Sequence, residues 1–324
     1  MSGHGRRLAR NFEDSHSSRG NIWYKINVDA TDKFSTAYEI GGWLPISVLP
    51  LAAVACRNLL PPWVFMWILA FAIFLGLKWL TWWHARLRIA HPAWRSAAYL
   101  LAWPGMDADA FLSASQPVPS PAPAIWLWAI FETSSGAILL WVVARSIPAG
   151  QPLLRGWMGM LGLILILHFG SFQIIALLWQ SIGVRAEPIM SAPLRSTSLA
   201  EFWGRRWNLG FRQLAHGLIF RPLSRRFGPG AAGFFVFVAS GLIHDLVISL
   251  PARGGYGLPT LYFLLQGAGV AAERSRFGAR LGLGHGVSGW CFMMVFLVVP
   301  VFFLFHPWFV MRVILPFMRA IHAL

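Results

Sequence analysis

An all-α, polytopic membrane protein with about seven to nine transmembrane helices is the fold class this sequence predicts, and three observations predict it. Hydrophobic residues make up 56% of the chain and charged residues only 12%, against roughly 25% charged in a soluble domain. The apolar residues gather into separate runs of membrane-spanning length. Lys and Arg fall between those runs rather than in one basic tail. The formal charge of +15 therefore points to anionic lipid headgroups and a phosphate-bearing substrate, not to nucleic acid. Cys56 and Cys291 lie in or beside apolar runs without a C-x-x-C pattern. Neither a zinc site nor a disulfide framework follows, and buried apolar thiols are expected.

Residues 1–39 are polar and mixed in charge, with no apolar h-region near the start, so a cytoplasmic tail is expected and the first span serves as membrane signal. The membrane-embedded region is expected over 40–324. The first span, Ile40 to Cys56, contains Pro45 and Pro50 and should kink or tilt. A second follows from Trp63 to Trp83, with Lys78 placed to snorkel toward the headgroups. From His84 to Trp103, Arg86, Arg88, His91 and Arg95 alternate with apolar residues, as in a helix lying in the interface. That stretch ends in WPGMDADAF, Trp103 to Phe111, where Pro-Gly signals a turn. Pro117, Pro119, Pro121 and Pro123 mark an extended loop.

The third and fourth spans cover Ala124 to Ala144 and Arg155 to Gln180, the latter long enough to tilt or to break at Gly170. They carry one ionisable residue each, Glu132 and His168; either faces a cavity or is satisfied by a neighbouring helix. A polar, Arg-rich segment runs from Ser181 to Gly230. Ser198 with Glu201 three residues on is a capping signal, which predicts a helix from Leu199 with Asn208, Arg212 and His216 along one face. Further spans are Ala231 to Leu250, Gly257 to Ala272 and Val287 to Phe305. Pro307 to Leu324 either lies in the interface or crosses as an eighth. Threading seven spans puts 20 Lys and Arg on one side and 6 on the other, so the N-terminus and the Arg-rich segment are expected in the cytoplasm and the protein in the cell inner membrane.

Two strings carry the chemistry. FWGRRWN, Phe202 to Asn208, packs two Trp, two Arg and an Asn into seven residues, and SGLIHD, Ser240 to Asp245, sets an imidazole beside a carboxylate inside an apolar span. Ionisable groups are costly there and are functional candidates by default. At about 1.5 Å per residue, His244 lies roughly 20 Å along its span from the cytoplasmic end and about 9 Å from the far end. A neutral imidazole at that depth can accept a proton. Taken alone, such a His is also compatible with a packing role or a proton pathway.

The string STSLAEFWGRRWN, Ser196 to Asn208, followed by His244 in an apolar helix, resembles the wax synthase branch of the membrane-bound O-acyltransferase superfamily. The WPGM element is similar as well, and the resemblance is closest over about 188–250. It implies a membrane-embedded catalytic cavity in which His244 is general base and Asn208 is its carbonyl-side partner. It further implies transfer of a fatty acyl group from acyl-CoA, a co-substrate, to a hydroxyl-bearing lipid such as a long-chain alcohol, with no bound cofactor and no metal. A sterol, glycerolipid or hydroxylated metabolite would need the same base. Arg205, Arg206, Trp203 and Trp207 then lie on the acyl-CoA side, or else anchor the segment to membrane lipids. Relatives often carry Glu after the His, where this chain has Asp245.

Other chemistries find less support. None of the ten His has an Asp four or five positions on, and no G-x-S-x-G, P-loop or H-E-x-x-H string occurs. Direct transfer without an acyl-enzyme is therefore expected. A proton-coupled transporter using Glu132, His168 and His244 is the competing class, but the chain has no paired repeats and a relay leaves FWGRRWN without a role.

Overall fold

The computed structural model describes residues 36–114 and 118–324. Residues 1–35 of the expected tail and Pro117 of the expected loop lie outside them. The chain divides into two compact units, Met1–Gly41 and Gly42–Leu324. Among the described residues, every regular element is helical. This is an all-α integral membrane protein.

Six helical stretches are long and apolar enough to cross a membrane: Tyr38–Ala55, Pro62–Ala85, Pro123–Ser146, Pro152–Ser181, Leu209–Ala252 and Gly286–Leu304. The first belongs to helix α1 (Thr36–Ala55); the next three are α2 (Pro62–Ala85), α3 (Pro123–Ser146) and α4 (Pro152–Ser181). α3 and α4 approach closely because Gly136 and Gly162 face each other: a Cβ on either would meet the other's carbonyl oxygen at 2.7 Å. Small residues at such crossings let backbones meet without solvent-driven packing. α4 does not break at Gly170; it widens to i→i+5 bonding over Leu165–Ser171, which includes His168. The outer surface is apolar, with Leu127, Phe131, Ile138 and Val142 of α3 all exposed, as lipid-facing residues are.

The 44-residue stretch Leu209–Ala252 is not one straight helix. It begins as α5 (Leu209–Ala215) and continues in α6 (Arg221–His244), which bends at Gly228 with φ 80° and ψ 163°. Only glycine takes that conformation without strain, and Pro229, lacking an N–H, starts the second limb. That limb is the expected span carrying His244. α7 (Leu258–Glu273), where a sixth span was expected, has 16 residues and is shorter than the six. α8 (Gly286–Leu304) is the last long one. Residues 307–324 turn their apolar side inward: Val310, Val313, Ile314, Leu315 and Met318 are buried in the main core with Met66, Leu140, Met160 and Phe263.

Several expectations are corrected. Lys78 does not snorkel. It is fully buried, its Nζ donates to the Gly105 carbonyl at 2.6 Å, and it sits 3.1 Å from the centre of the Tyr99 ring; the WPGM turn folds back over α2 and supplies the partner that headgroups would otherwise provide. The interfacial helix is confined to Ala93–Ala102, and Arg95 on it is buried, its Nη1 donating to the carbonyls of Leu112 and Ser113 at 3.1 and 2.6 Å. Cys56 and Cys291 are exposed, not buried. Asn208 does not share a helix with Arg212 and His216: it adopts φ 43° and caps the helix that holds Arg212, and His216 opens the i→i+5 turn that follows.

Four long helices separate the N-terminal tail from the loop after Ser181. Reporter tags after Gly20 and within residues 180–187 are therefore expected on the same side of the membrane, in the cytoplasm by the 20 to 6 charge bias. Tags reporting opposite sides would show that one of the four does not cross.

Candidate active site

The FWGRRWN segment is held by its own polar ends. Ser198 opens a short helix, Leu199–Glu201, its side chain accepting from the Glu201 N–H at 3.0 Å. Glu201 Oε2 accepts from the Thr197 N–H at 2.9 Å. The Ser198 half of the expected cap forms, but Glu201 reaches back one residue further than a capping box requires, to Thr197 rather than to the Ser198 N–H. A third group was not foreseen: Glu273, at the end of α7, accepts from the Leu199 and Ala200 N–H groups, both at 2.8 Å. A carboxylate at a helix N-terminus is favoured by its free N–H groups. Burial nevertheless pushes the Glu273 carboxyl up, the two backbone donors working against that shift. The chain then widens into an i→i+5 turn over Phe202–Arg206, closed by the Trp207 N–H donating to the Phe202 carbonyl at 2.9 Å.

The two arginines part ways. Arg206 is occupied: it pairs with Glu201 Oε1 at 2.7 Å and donates to the Ser191 carbonyl at 3.2 Å. Arg205 is exposed, and its side chain makes no hydrogen bond or ion pair among the described residues. The Thr197 N–H, followed by the Arg206 guanidinium, holds the Glu201 carboxyl below its usual 4.5. With the folded value below the unfolded one, the Glu201 contribution to stability is complete above about pH 4.5 and is lost as pH falls through the depressed value. Glu201→Gln should thus lower the thermal midpoint at pH 7, with the gap to wild type closing in acid; an equal gap at pH 7 and pH 3 would remove the charge from the explanation.

The tryptophans point into the protein. Trp203 Nε1 donates to the side-chain oxygen of buried Gln266 at 3.3 Å, and Gln266 Nε2 donates to the Phe296 carbonyl at 2.6 Å. The Trp203 ring lies 5.6 Å from Phe263 and 6.0 Å from Phe237. Trp207 is stacked between Phe202 at 5.3 Å and His168 at 6.0 Å. Among the described residues, His168 Nδ1 is buried with no hydrogen-bond partner. Both Trp residues are half-buried.

Asn208 follows in the left-handed region, which Asn tolerates better than most residues. Its Oδ1 accepts from the Phe211 N–H at 3.3 Å, and its own N–H donates to Met190 Sδ at 3.3 Å. The oxygen is used by the cap, so the side-chain NH₂ is left to donate. Beneath it runs the WPGM turn: a Cβ on Gly210 would lie 3.3 Å from the Met106 N, and Asp107 Oδ2 accepts from Gln213 Nε2 on α5 at 3.2 Å.

His244 closes the α-helical part of α6, just before an i→i+5 turn at Asp245–Ser249. Such widened turns are frequent at functional sites. Its Nδ1 is 2.7 Å from the Ser240 carbonyl oxygen. A carbonyl only accepts, so Nδ1 carries the proton and Nε2 keeps its lone pair free. The ring lies 4.5 Å from Phe263, the same Phe that touches Trp203. Phe263 thus links the His helix to the FWGRRWN segment, although Asn208 and His244 share no hydrogen bond. Asp245 faces away from this work. Its Oδ1 accepts from Ser249 Oγ at 2.9 Å and the Gly257 N–H at 2.8 Å, and its Oδ2 from the Thr260 N–H at 3.0 Å and the Thr260 hydroxyl. Four donors saturate it, and they tie the end of the His244 helix to Gly257 and the start of α7. Glu132, His168 and His244 make no hydrogen bond with one another among the described residues.

Residues 186–265, which contain both Asn208 and His244, match the model of the membrane bound O-acyl transferase family. A protein named probable long-chain-alcohol O-fatty-acyltransferase 7 from Arabidopsis thaliana is 34% identical over 142 residues, 39% of this chain and 41% of its own length. The long-chain-alcohol O-fatty-acyltransferase of Simmondsia chinensis is 28% identical over 121 residues, 34% of each chain. Acyl-CoA–sterol O-acyltransferase 1 of Arabidopsis thaliana is 36% identical over 74 residues, 21% of each. The matched region spans under half the length of these relatives. Over that segment the chain is similar to the membrane bound O-acyl transferase family and to relatives that carry long-chain-alcohol acyltransferase names.

Proposed function

We propose that this protein transfers a fatty acyl group from acyl-CoA to a long-chain alcohol, giving a wax ester, with His244 as general base and Asn208 as oxyanion donor. The observation that carries the reading is the free Nε2 of His244, fixed by the Nδ1 bond to Ser240, within the one segment that matches an acyltransferase family. The acceptor hydroxyl gives its proton to Nε2 as its oxygen attacks the thioester carbonyl. A C–O bond forms, the carbonyl oxygen gains charge, and the C–S bond breaks as it collapses. The imidazolium then returns the proton to the departing coenzyme A thiolate. General-base help of this kind contributes about 10² to 10⁴ in rate. The Asn208 NH₂, left over by the cap, donates to the developing oxyanion.

The acceptor arrives from the bilayer and acyl-CoA from the cytoplasm, the side that the Lys and Arg bias favours for the FWGRRWN segment. A sterol acceptor is the second reading, favoured by the similarity to a relative named for sterol acylation. Purified protein in detergent, supplied with palmitoyl-CoA and either hexadecanol or a sterol, separates the two by mass spectrometry of the products. Hexadecyl ester is the expected product. Sterol ester in its place supports the second reading, and no ester from either acceptor overturns both.

Arg205 is the cation free to meet coenzyme A phosphates, whereas Arg206 is held in the fold by Glu201 and Ser191. Arg205→Gln is expected to raise KM for acyl-CoA several-fold and leave KM for the alcohol unchanged, since phosphate contacts bind only the donor. Equal changes in both would assign Arg205 to lipid headgroups.

A further inference from the structure

A second concave site lies at the end of the molecule where the 250–257 turn meets the α1–α2 connection. Two adjoining cavities of about 310 and about 410 Å³ share Pro62, Pro251 and Arg253. Arg57, Arg253 and Tyr256 form an exposed rim over Leu60, Phe65 and Leu250, and Arg312 lines the second cavity. Neither cavity is lined by an Asp or Glu. The guanidinium groups have little else to bind. The Arg57 guanidinium makes no hydrogen bond or ion pair among the described residues, and the Arg253 guanidinium reaches only Asn58 Oδ1, at 3.4 Å. Arg312 Nη1 donates to the Ala252 and Arg253 carbonyls; its other N–H groups are unspent.

Two further observations single the place out. Of the six Arg that a seven-span threading puts on the side poor in positive charge, three line these cavities, against the usual bias. Arg253 also sits at φ 50°, a left-handed conformation that a side chain other than Gly, Asn or Asp adopts at a cost. That strain turns a cation onto the shared wall of both cavities.

We propose that this site binds an anionic phosphate ester, and that its source is a bilayer phospholipid: the guanidinium rim takes the phosphate while the apolar floor of Leu60, Phe65 and Leu250 takes the first carbons of its acyl chain. Planar, forked guanidinium groups suit phosphate oxygens, and a soluble phosphate would leave the floor unused. The site is separate from Arg205 and does not depend on the acyl-transfer reading.

The test is native mass spectrometry of the full chain purified in neutral detergent and exposed to phosphatidylglycerol or phosphatidylcholine, with inorganic phosphate as competitor. Wild type should retain phosphatidylglycerol in preference to phosphatidylcholine, and Arg57→Gln and Arg253→Asn should each reduce that retention about fivefold, the worth of one cation near an anionic headgroup. Asn keeps the left-handed backbone accessible. Arg57→Gln removes no side-chain hydrogen bond, so it serves alone should the Arg253 variant fail to fold. Retention unmoved by millimolar phosphate supports the phospholipid source. Displacement by phosphate keeps the anion chemistry but overturns the lipid as its source. Equal retention of both lipids, unaffected by either substitution, overturns the site.

Discussion

His244→Ala is expected to lower ester formation by about 10² to 10⁴, with expression, membrane insertion and acyl-CoA binding close to wild type. A base acts mainly in the transition state, so its removal lowers kcat and kcat/KM together and leaves donor binding in place. The ring's one hydrogen bond, from Nδ1 to the Ser240 carbonyl, gives the experiment its control. His244→Asn can restore a donor to that carbonyl, because the amide NH₂ stands near the place of Nδ1, but it carries no group able to take a proton at Nε2. If His244 only braces its helix and packs on Phe263, the Asn variant should recover much of the activity that Ala loses. If it is the base, Asn stays as inactive as Ala. A folded His244→Ala protein that makes ester near the wild-type rate ends the mechanism and leaves the imidazole a packing residue.

Much of the fold could be read from the sequence because the bilayer imposes one strong rule: a long apolar run must satisfy its backbone internally, and so is a helix. The first five expected spans all coincide with long helices. The rule weakens at the margins, where α7 at 16 residues and residues 307–324 carry enough apolar side chains to cross or to pack. Side-chain partners were less legible. Lys78 has the spacing of a snorkelling residue, but the WPGM turn, 27 positions on, covers it. Arg206 looks like the twin of Arg205 until Glu201 takes it.

At the candidate site the residues with a local signal, Ser198, Glu201, Trp203, Asn208 and His244, could be named from the chain alone. Phe263, Gln266 and Glu273 could not. Each is one unremarkable member of an apolar or polar run, and each matters only because α7 lies against the FWGRRWN segment in space. Asp245 shows the opposite failure. Adjacent to His244 in sequence, it invites a role in catalysis, yet successive helical residues point in different directions, and its four donors come from Ser249 one turn on, from Gly257 and from Thr260 of α7. Neighbours along the chain were the wrong guide there.

Asn208→Ala is expected to cost about 2.7 to 4 kcal/mol in kcat, the loss seen when one oxyanion donor is removed. The substitution is not clean by itself, because Asn208 does two further jobs: its Oδ1 caps α5 through the Phe211 N–H, worth about 0.5 to 2 kcal/mol of stability, and its φ of 43° suits Asn better than Ala. Asn208→Asp separates these roles. A carboxylate keeps the cap and tolerates the left-handed backbone, so the thermal midpoint should stay near wild type, but it has no NH₂ to offer and adds negative charge where an oxyanion would form. Turnover of the Asp variant should therefore fall at least as far as that of Ala while its stability does not. The double variant His244→Ala with Asn208→Ala should be little slower than His244→Ala alone, because groups serving one transition state are not additive. Full activity in Asn208→Asp would show that the residue works through its cap alone, and the oxyanion donor would have to be sought elsewhere along the Trp203–Phe263–His244 contact.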